Sequence, residues 1–277
     1  MLKRPLRLLI TFCAITAILL LGTTCTTIPA LPAGVVKQSS KVACGKDSVA
    51  VDFYFQKQAA APQPLVVVVH GFSRSRRYMA GWGADLAGHG MIVAVMTQPY
   101  WARHSLNGEV ISLLVELGRT GKWPIDARGN GKVGLVGFSM GGLTSLLAAA
   151  SLSPPADAWV GLDPVDHAGR GAAKAALVKL PGLALLAEPS PFNGQNNALA
   201  MLNDYGGPLQ VIRITGATHC DAESPSDILG QLACGRVDPK RHNRFRSATL
   251  EFLDGAFGGD AHPQVKARDG LEVVFNL

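Results

Sequence analysis

A serine lies in a tight glycine turn between an apolar run and a helical segment. The turn reads Gly137-Phe138-Ser139-Met140-Gly141; it directly follows the apolar run at 133–136 and precedes an alanine-rich apolar segment at 142–150. A strand that turns sharply into a helix forces strained backbone angles on its central residue, and small neighbours remove the resulting clashes. The Ser139 hydroxyl would then stand clear of the sheet, beside the unpaired N–H groups of a helix N-terminus. This pattern predicts a nucleophilic serine next to a site that stabilises an oxyanion.

A nucleophilic serine needs a base, and His219 is the best placed of the seven histidines. It comes after the last apolar run of the chain, so a parallel sheet would bring it to the same edge as Ser139. In contrast, His104, His242 and His262 lie in polar stretches with no strand before them. We therefore predict that His219 accepts the proton of Ser139.

Three carboxylates compete for the third role, that of the acid which orients the histidine. Asp163 directly ends the apolar run at 159–162, and Asp166 follows shortly after it. Glu188 is the carboxylate that follows the next run, at 183–186. The acid accepts the imidazole N–H and stabilises the imidazolium. Because Asp163 meets its strand end directly, we prefer it, with Asp166 and Glu188 as alternatives.

The spacing of apolar runs and helical segments predicts the architecture. Short, continuous apolar runs suit strands that are covered on both faces. Strands that alternate with helices form a mostly parallel sheet with helices on both sides, which is an α/β fold. The predicted strands lie at 49–55, 65–69, 91–95, 133–136, 159–162, 183–186 and 209–214, and the predicted helices at 77–88, 105–117, 140–151, 172–180 and 196–204.

These motifs resemble the α/β-hydrolase superfamily over about residues 45–257. His70-Gly71-Phe72 closes an apolar strand as the oxyanion loop does in that family, and residues 137–141 resemble its nucleophile elbow, although Phe138 stands where histidine is common. The resemblance implies that Ser139 is the nucleophile. It also implies that the backbone N–H groups of Phe72 and Met140 form the oxyanion hole, with His70 as a structural residue of the loop.

A second resemblance concerns the acid and the substrate. Leu162-Asp163-Pro164-Val165 resembles a stretch of chlorophyllases and related secreted esterases, in which the aspartate before proline completes the triad. The resemblance implies hydrolysis of bulky hydrophobic carboxylic esters without a metal or cofactor, and secreted polyester hydrolases share the same elbow. The alternative is a catalytically inactive member of the fold that serves as a binding protein of the cell envelope.

The N-terminus has the layout of a secretory signal. Three basic residues precede an apolar segment at 8–21, which is short for a membrane span, and small, polar and proline residues follow it. We expect residues 1–33 to form a signal peptide that is cleaved within 24–33, giving a periplasmic or secreted protein. Cys25 marks the alternative, a lipoprotein cysteine that would carry a lipid anchor.

The net charge and the domain organisation of the chain indicate which classes of partner to expect. Three of the 26 Lys and Arg residues and none of the 20 Asp and Glu residues lie within 1–30, so the remaining chain has a net charge of +3. A charge this small does not indicate a nucleic-acid partner. No repeat or low-complexity linker divides residues 40–258, so we expect one domain at 34–258, a C-terminal tail at 259–277, and a monomer that acts on a small-molecule or polymeric ester.

Export also determines how the cysteines are interpreted. Cys44, Cys220 and Cys234 remain after signal cleavage, in an oxidising compartment. Cys220 and Cys234 enclose a short segment, and a disulfide there would stabilise the fold by about 3 kcal/mol. We therefore predict this bridge, which leaves Cys44 unpaired. The spacing of cysteine and histidine does not match a zinc site.

Overall fold

Nine strands form one sheet in the part of the chain that the structure describes. The computed structural model describes residues 30–45 and 47–277. The strand order is β1-β2-β4-β3-β5-β6-β7-β8-β9. Strands β3 to β8 run parallel, whereas β1, β2 and β9 pair antiparallel with their neighbours. The strands are β1 (Val35–Cys44), β2 (Asp47–Gln56), β3 (Gln63–Val69), β4 (Ile92–Met96), β5 (Gly129–Phe138), β6 (Ala158–Leu162), β7 (Gly182–Leu186), β8 (Leu209–Ile214) and β9 (Leu271–Asn276).

Helices cover both faces of this sheet. One apolar core lies between the sheet and helices α2, α3, α4 and α5, and a second core lies between the opposite face and α1 and α7. Strand β3 shows why a continuous apolar run is stable here: Leu65, Val67 and Val69 enter the first core, whereas Val66 and Val68 enter the second. The helices are α1 (Ala80–Gly88), α2 (His104–Arg119), α3 (Met140–Ala149), α4 (Ala172–Ala175), α5 (Ala198–Asn203), α6 (Ile228–Cys234) and α7 (Pro239–Phe257). The predicted mostly parallel α/β sheet is confirmed.

The predicted tail needs a correction. Residues 271–276 form β9, which pairs antiparallel with β8 at the edge of the sheet. This segment reads Leu-Glu-Val-Val-Phe-Asn: Glu272 interrupts its apolar residues, so it does not form a continuous apolar run of the length that marks the inner strands. The domain therefore extends past residue 258.

Two further elements were not predicted, and one predicted helix is shorter than expected. Strand β1 covers the edge of β2, and α6 lies between the two cysteines Cys220 and Cys234. The helix predicted at 172–180 ends at Ala175, whose carbonyl accepts the N–H of Gly206 (3.1 Å). A long-range hydrogen bond of this kind leaves no trace in local sequence.

Residues 1–29 of the expected signal segment lie outside the residues that the structure describes. Cys25 is among them. Among the residues that the structure does describe, no helix combines the length and apolarity needed to cross a bilayer.

Candidate active site

Ser139 stands in a strained turn between β5 and α3. Its backbone has φ +56° and ψ −125°, a conformation that costs free energy in any residue with a side chain. The flanking glycines make this turn possible. A Cβ atom on Gly141 would lie 2.5 Å from the carbonyl oxygens of Val69 and His70, and one on Gly137 would collide with the carbonyl of Gly141. The turn therefore requires the Gly-x-Ser-x-Gly pattern and lifts Ser139 above the sheet edge.

The structure brings Ser139, His219 and Asp163 into one line of hydrogen bonds. His219 Nε2 lies 3.0 Å from Ser139 Oγ, and His219 Nδ1 lies 2.6 Å from Asp163 Oδ2. The three residues expose 6%, 8% and 0% of their surface, respectively. A fully buried carboxylate beside Nδ1 fixes the tautomer that leaves Nε2 free to accept a proton. Chemically, the arrangement can raise the nucleophilicity of the Ser139 hydroxyl.

Asp163 is held by a residue that the sequence analysis missed. Asn193 Nδ2 donates to both oxygens of Asp163 (3.3 and 3.1 Å), and Ala187 N–H donates to Asp163 Oδ1 (2.9 Å). Asn193 itself is fully buried and accepts the N–H groups of Ser190 and Asn196 on its Oδ1. These bonds stabilise the buried carboxylate and orient it toward the imidazole. Asn193 lies in a polar loop after β7, and nothing in the sequence of that loop predicts this role.

The two alternative acids lie in other surroundings. Asp166 accepts the N–H groups of Gly171 (2.8 Å) and Ala172 (3.3 Å) and so holds the start of α4. Glu188 accepts the N–H of Gly216 (2.8 Å), and its side chain is 46% exposed. Both carboxylates are thus bonded to backbone amides, whereas Asp163 is bonded to His219.

Phe138 replaces the histidine that is common at this position, and it contacts the imidazole directly. Its ring lies 4.8 Å from that of His219, with 34° between the planes. Phe138 is 3% exposed, so it covers one face of His219 with apolar surface. Such a cover excludes water from the face of the imidazole that it contacts.

The predicted oxyanion loop packs against the serine. A Cβ atom on Gly71 would lie 2.9 Å from Ser139 Cβ, so only glycine allows this close approach. Met140 begins α3, which places its N–H at the N-terminus of that helix. His70 is buried, and burial lowers its pKa to about 4, which keeps the ring neutral. It is therefore suited to a structural role.

The turn that carries His219 is tied to the last two helices. A disulfide joins Cys220 to Cys234 at the end of α6, with 5.9 Å between their Cα atoms. The fully buried Asp221 accepts Arg241 Nε (2.7 Å) and the N–H of Asp238 (2.7 Å) at the start of α7. The predicted bridge is therefore present, and Cys44 is a free thiol.

A cavity of about 290 Å³ opens beside the Ser139 hydroxyl. Most of its wall is apolar, with Arg74 and Glu223 as its charged residues, and Arg74 Nε lies 2.9 Å from Glu223 Oε1. Within residues 30–45 and 47–277, no group of three or more His, Cys, Asp or Glu residues is arranged to hold a metal ion. The apolar part of the wall includes Phe72, Phe138, Met140, Val165, Phe192 and Ala233.

Comparison with known proteins identifies the fold. No known family model matches the chain, and neither does any curated protein. Solved structures do match, and one of them is a ferulic acid esterase from Streptomyces cinnamoneus, with 15% sequence identity and a TM-score of 0.70. The match covers 90% of this chain and 99% of that chain. Taken with the strand order and the turn at Ser139, this similarity shows that the chain has the α/β-hydrolase fold.

Proposed function

We propose that this protein is a serine hydrolase that cleaves carboxylic esters. The observation that carries the proposal is the continuous relay from Ser139 through His219 to the buried Asp163, with contacts of 3.0 and 2.6 Å. The fold similarity to a ferulic acid esterase supports the same class of reaction.

The first half of the reaction forms an acyl-enzyme. Ser139 Oγ attacks the ester carbonyl carbon while its proton moves to His219 Nε2, and Asp163 stabilises the imidazolium. The negative charge on the carbonyl oxygen is held by the backbone N–H groups of Phe72 and Met140. The tetrahedral intermediate then collapses: the bond to the alcohol oxygen breaks, and His219 gives its proton to the leaving alcohol.

The second half releases the acid. A water molecule attacks the acyl carbonyl as His219 Nε2 takes one of its protons, and the oxyanion forms again at the same two N–H groups. When this intermediate collapses, the bond to Ser139 Oγ breaks and His219 returns the proton to the serine. No metal or cofactor takes part in these steps.

The surroundings of the cavity favour hydrophobic esters. Three large aromatic side chains are exposed at the cavity mouth, and we call them the apolar rim. Phe72 and Phe192 line the cavity, and Trp101 packs edge-on against Phe72. Apolar surface at a cavity mouth suits bulky substrates such as long-chain, polycyclic or polymeric esters. The members of the rim are Phe72 (44% exposed), Trp101 (72%) and Phe192 (46%).

We further propose that the protein works outside the cytoplasm, as a monomer. The basic and apolar segments within 1–21 support export through a cleaved signal, with lipid anchoring at Cys25 as the alternative. The Cys220–Cys234 disulfide is compatible with an oxidising compartment.

A binding protein with an inactive hydrolase fold is the competing function. Such a protein has no need to hold Ser139 at φ +56° or to bury Asp163 against His219. Strain and buried charge of this kind persist where they serve chemistry, so both features favour the enzyme.

Hydrolysis of p-nitrophenyl esters with graded acyl length provides the test. We expect the purified protein to turn over these esters, and we expect Ser139→Ala to lose turnover by a factor on the order of 10³ or more. A folded protein that hydrolyses none of these esters would favour the binding function instead.

A further inference from the structure

The direction of the Phe72 N–H depends on the carbonyl of Gly71, because the two groups belong to one planar peptide unit. That carbonyl accepts His70 Nδ1–H (2.7 Å) and the N–H of Arg74 (3.3 Å). In a trans peptide the C=O and N–H point in opposite directions, so whatever fixes the Gly71 carbonyl also aims the Phe72 N–H.

Gln98 holds His70 in the state that this contact requires. The backbone N–H of Gln98 donates to His70 Nε2 (2.9 Å), so the ring proton must reside on Nδ1, where it meets the Gly71 carbonyl. The side-chain amide of Gln98 donates to the carbonyl of His70 (2.6 Å). Gln98 therefore fixes both the tautomer and the backbone of His70.

Thr144 connects Gln98 to the helix that begins with Met140. Thr144 Oγ1 lies 3.0 Å from Gln98 Oε1 and 3.1 Å from the carbonyl of Met140. His104 Nδ1 lies 3.1 Å from the same hydroxyl, and His104 Nε2 lies 3.2 Å from His167 Nδ1. When His104 Nδ1–H donates to Thr144, the single hydroxyl hydrogen of Thr144 is shared between Gln98 Oε1 and the Met140 carbonyl, and each bond from His167 to Gln98 then has one donor and one acceptor.

The chain of bonds thus spans the two proposed oxyanion donors. It begins in α3, one turn after Met140, and ends at the peptide of Phe72. Thr144 is fully buried, and neither Gln98 nor Thr144 lines the cavity beside Ser139. Its place in the structure fits a role that acts through the loop instead of through contact with the ester.

We propose that Gln98 and Thr144 are positioning residues of the oxyanion hole, which set the Phe72 N–H relative to the Met140 N–H. This inference rests on the proposed ester hydrolysis. An oxyanion hole contributes to the transition state more than to the bound substrate, so its misalignment lowers kcat and leaves KM nearly unchanged.

Thr144→Val tests the role of the hydroxyl with little change in volume. We expect kcat to fall by about 10-fold or more with KM within about twofold, since loss of an entire oxyanion donor costs about 10²–10³. Thr144→Ser keeps the hydroxyl and should restore kcat to within about threefold. A phenylboronic acid, which forms a tetrahedral adduct with serine, should bind Thr144→Val more weakly in proportion to the loss in kcat/KM.

Thr249→Val is the matched control, because Thr249 is also fully buried in a helix but lies in α7, in the core on the opposite face of the sheet. It should keep wild-type kcat. If Thr144→Val does not fold, Gln98→Met provides the same test at a half-buried position. Wild-type kcat in folded Thr144→Val or Gln98→Met would overturn the proposal, and so would an equal loss in Thr249→Val. Failure of the proposed function is a different result, in which the wild-type protein hydrolyses no ester at all.

Discussion

Three residues far apart in sequence meet because each follows a strand of the parallel sheet. Ser139, Asp163 and His219 follow β5, β6 and β8, and the carboxyl ends of parallel strands share one edge. Sequence alone places them together because each comes directly after an apolar run or a short turn. Asn193 could not be found in this way. Its role is to donate hydrogen bonds to the Asp163 carboxylate, and the sequence does not show that the loop after β7 brings these two side chains together.

Replacement of the three candidate acids separates their roles. Asp163→Asn should lower turnover by a factor on the order of 10³–10⁴, because asparagine cannot stabilise the imidazolium and favours the wrong tautomer of His219. Asp166→Asn and Glu188→Gln should change turnover only slightly, because these side chains bond backbone amides. Steady-state kinetics on one p-nitrophenyl ester provide the comparison. A severe loss confined to Glu188→Gln would reverse the assignment.

Glu223 should make stability depend on pH. Burial raises the pKa of Glu223 to about 7, against the opposing charge of Arg74. Between the unfolded value near 4.5 and about 7, the folded state keeps a proton that the unfolded chain has lost. The stability that the folded protein gains by keeping Glu223 protonated is therefore fully present below pH 4.5 and is lost as the pH rises through about 7.

Glu223→Gln removes this titration. Relative to wild type, the variant should gain stability on the order of 2–3 kcal/mol between pH 5 and pH 8, as measured by urea unfolding. The buried residues His70 and His104 titrate in both proteins, so the difference isolates Glu223. Glu188→Gln serves as the control because Glu188 is half exposed. A pH-independent difference between Glu223→Gln and wild type would contradict this interpretation.

The elements that sequence predicts well are those buried on both sides. The inner strands appear as continuous apolar runs, and all of them are present in the structure. β1 and β9 lie at the sheet edges, where polar residues interrupt the apolar ones: β1 has a largely exposed polar stretch at 37–41, and Glu272 separates Leu271 from the apolar residues at 273–275 of β9. α6 was missed for a different reason: Ile228 and Leu232 point outward, so its pattern lacks a polar outer face.

The disulfide should support the turn that carries His219. Reduction, or Cys234→Ser, should lower the unfolding free energy by about 3 kcal/mol on the loop-entropy model and reduce turnover at the same time. The shared effect arises because Cys220 is adjacent to His219, the proposed base, and joins it to α6. Thermal unfolding and ester hydrolysis would be followed together, with Cys44→Ser as the control. Recovery of Cys220 as a free thiol, or joined to Cys44, in peptide mapping without reduction would disprove this account.

The apolar rim gathers exposed hydrophobic surface at one place on the molecule, the mouth of the cavity. Phe192→Ser and Trp101→Ser should lower hydrolysis of emulsified long-chain esters by several-fold and leave p-nitrophenyl acetate hydrolysis nearly unchanged, because only large substrates reach the rim. Leu177→Ser is the matched control, since Leu177 is 56% exposed but does not line the cavity. Equal effects of Phe192→Ser on both ester classes would count against a role for the rim in substrate binding.

The whole arrangement, from the sheet edge to the cavity, depends on Ser139 as the nucleophile. The most direct test is labelling of the purified protein with a fluorophosphonate, followed by mass spectrometry of its peptides. We predict a single covalent adduct on Ser139, with no labelling of Ser139→Ala and little labelling of Asp163→Asn. Labelling that persists undiminished in Ser139→Ala would contradict the proposed mechanism.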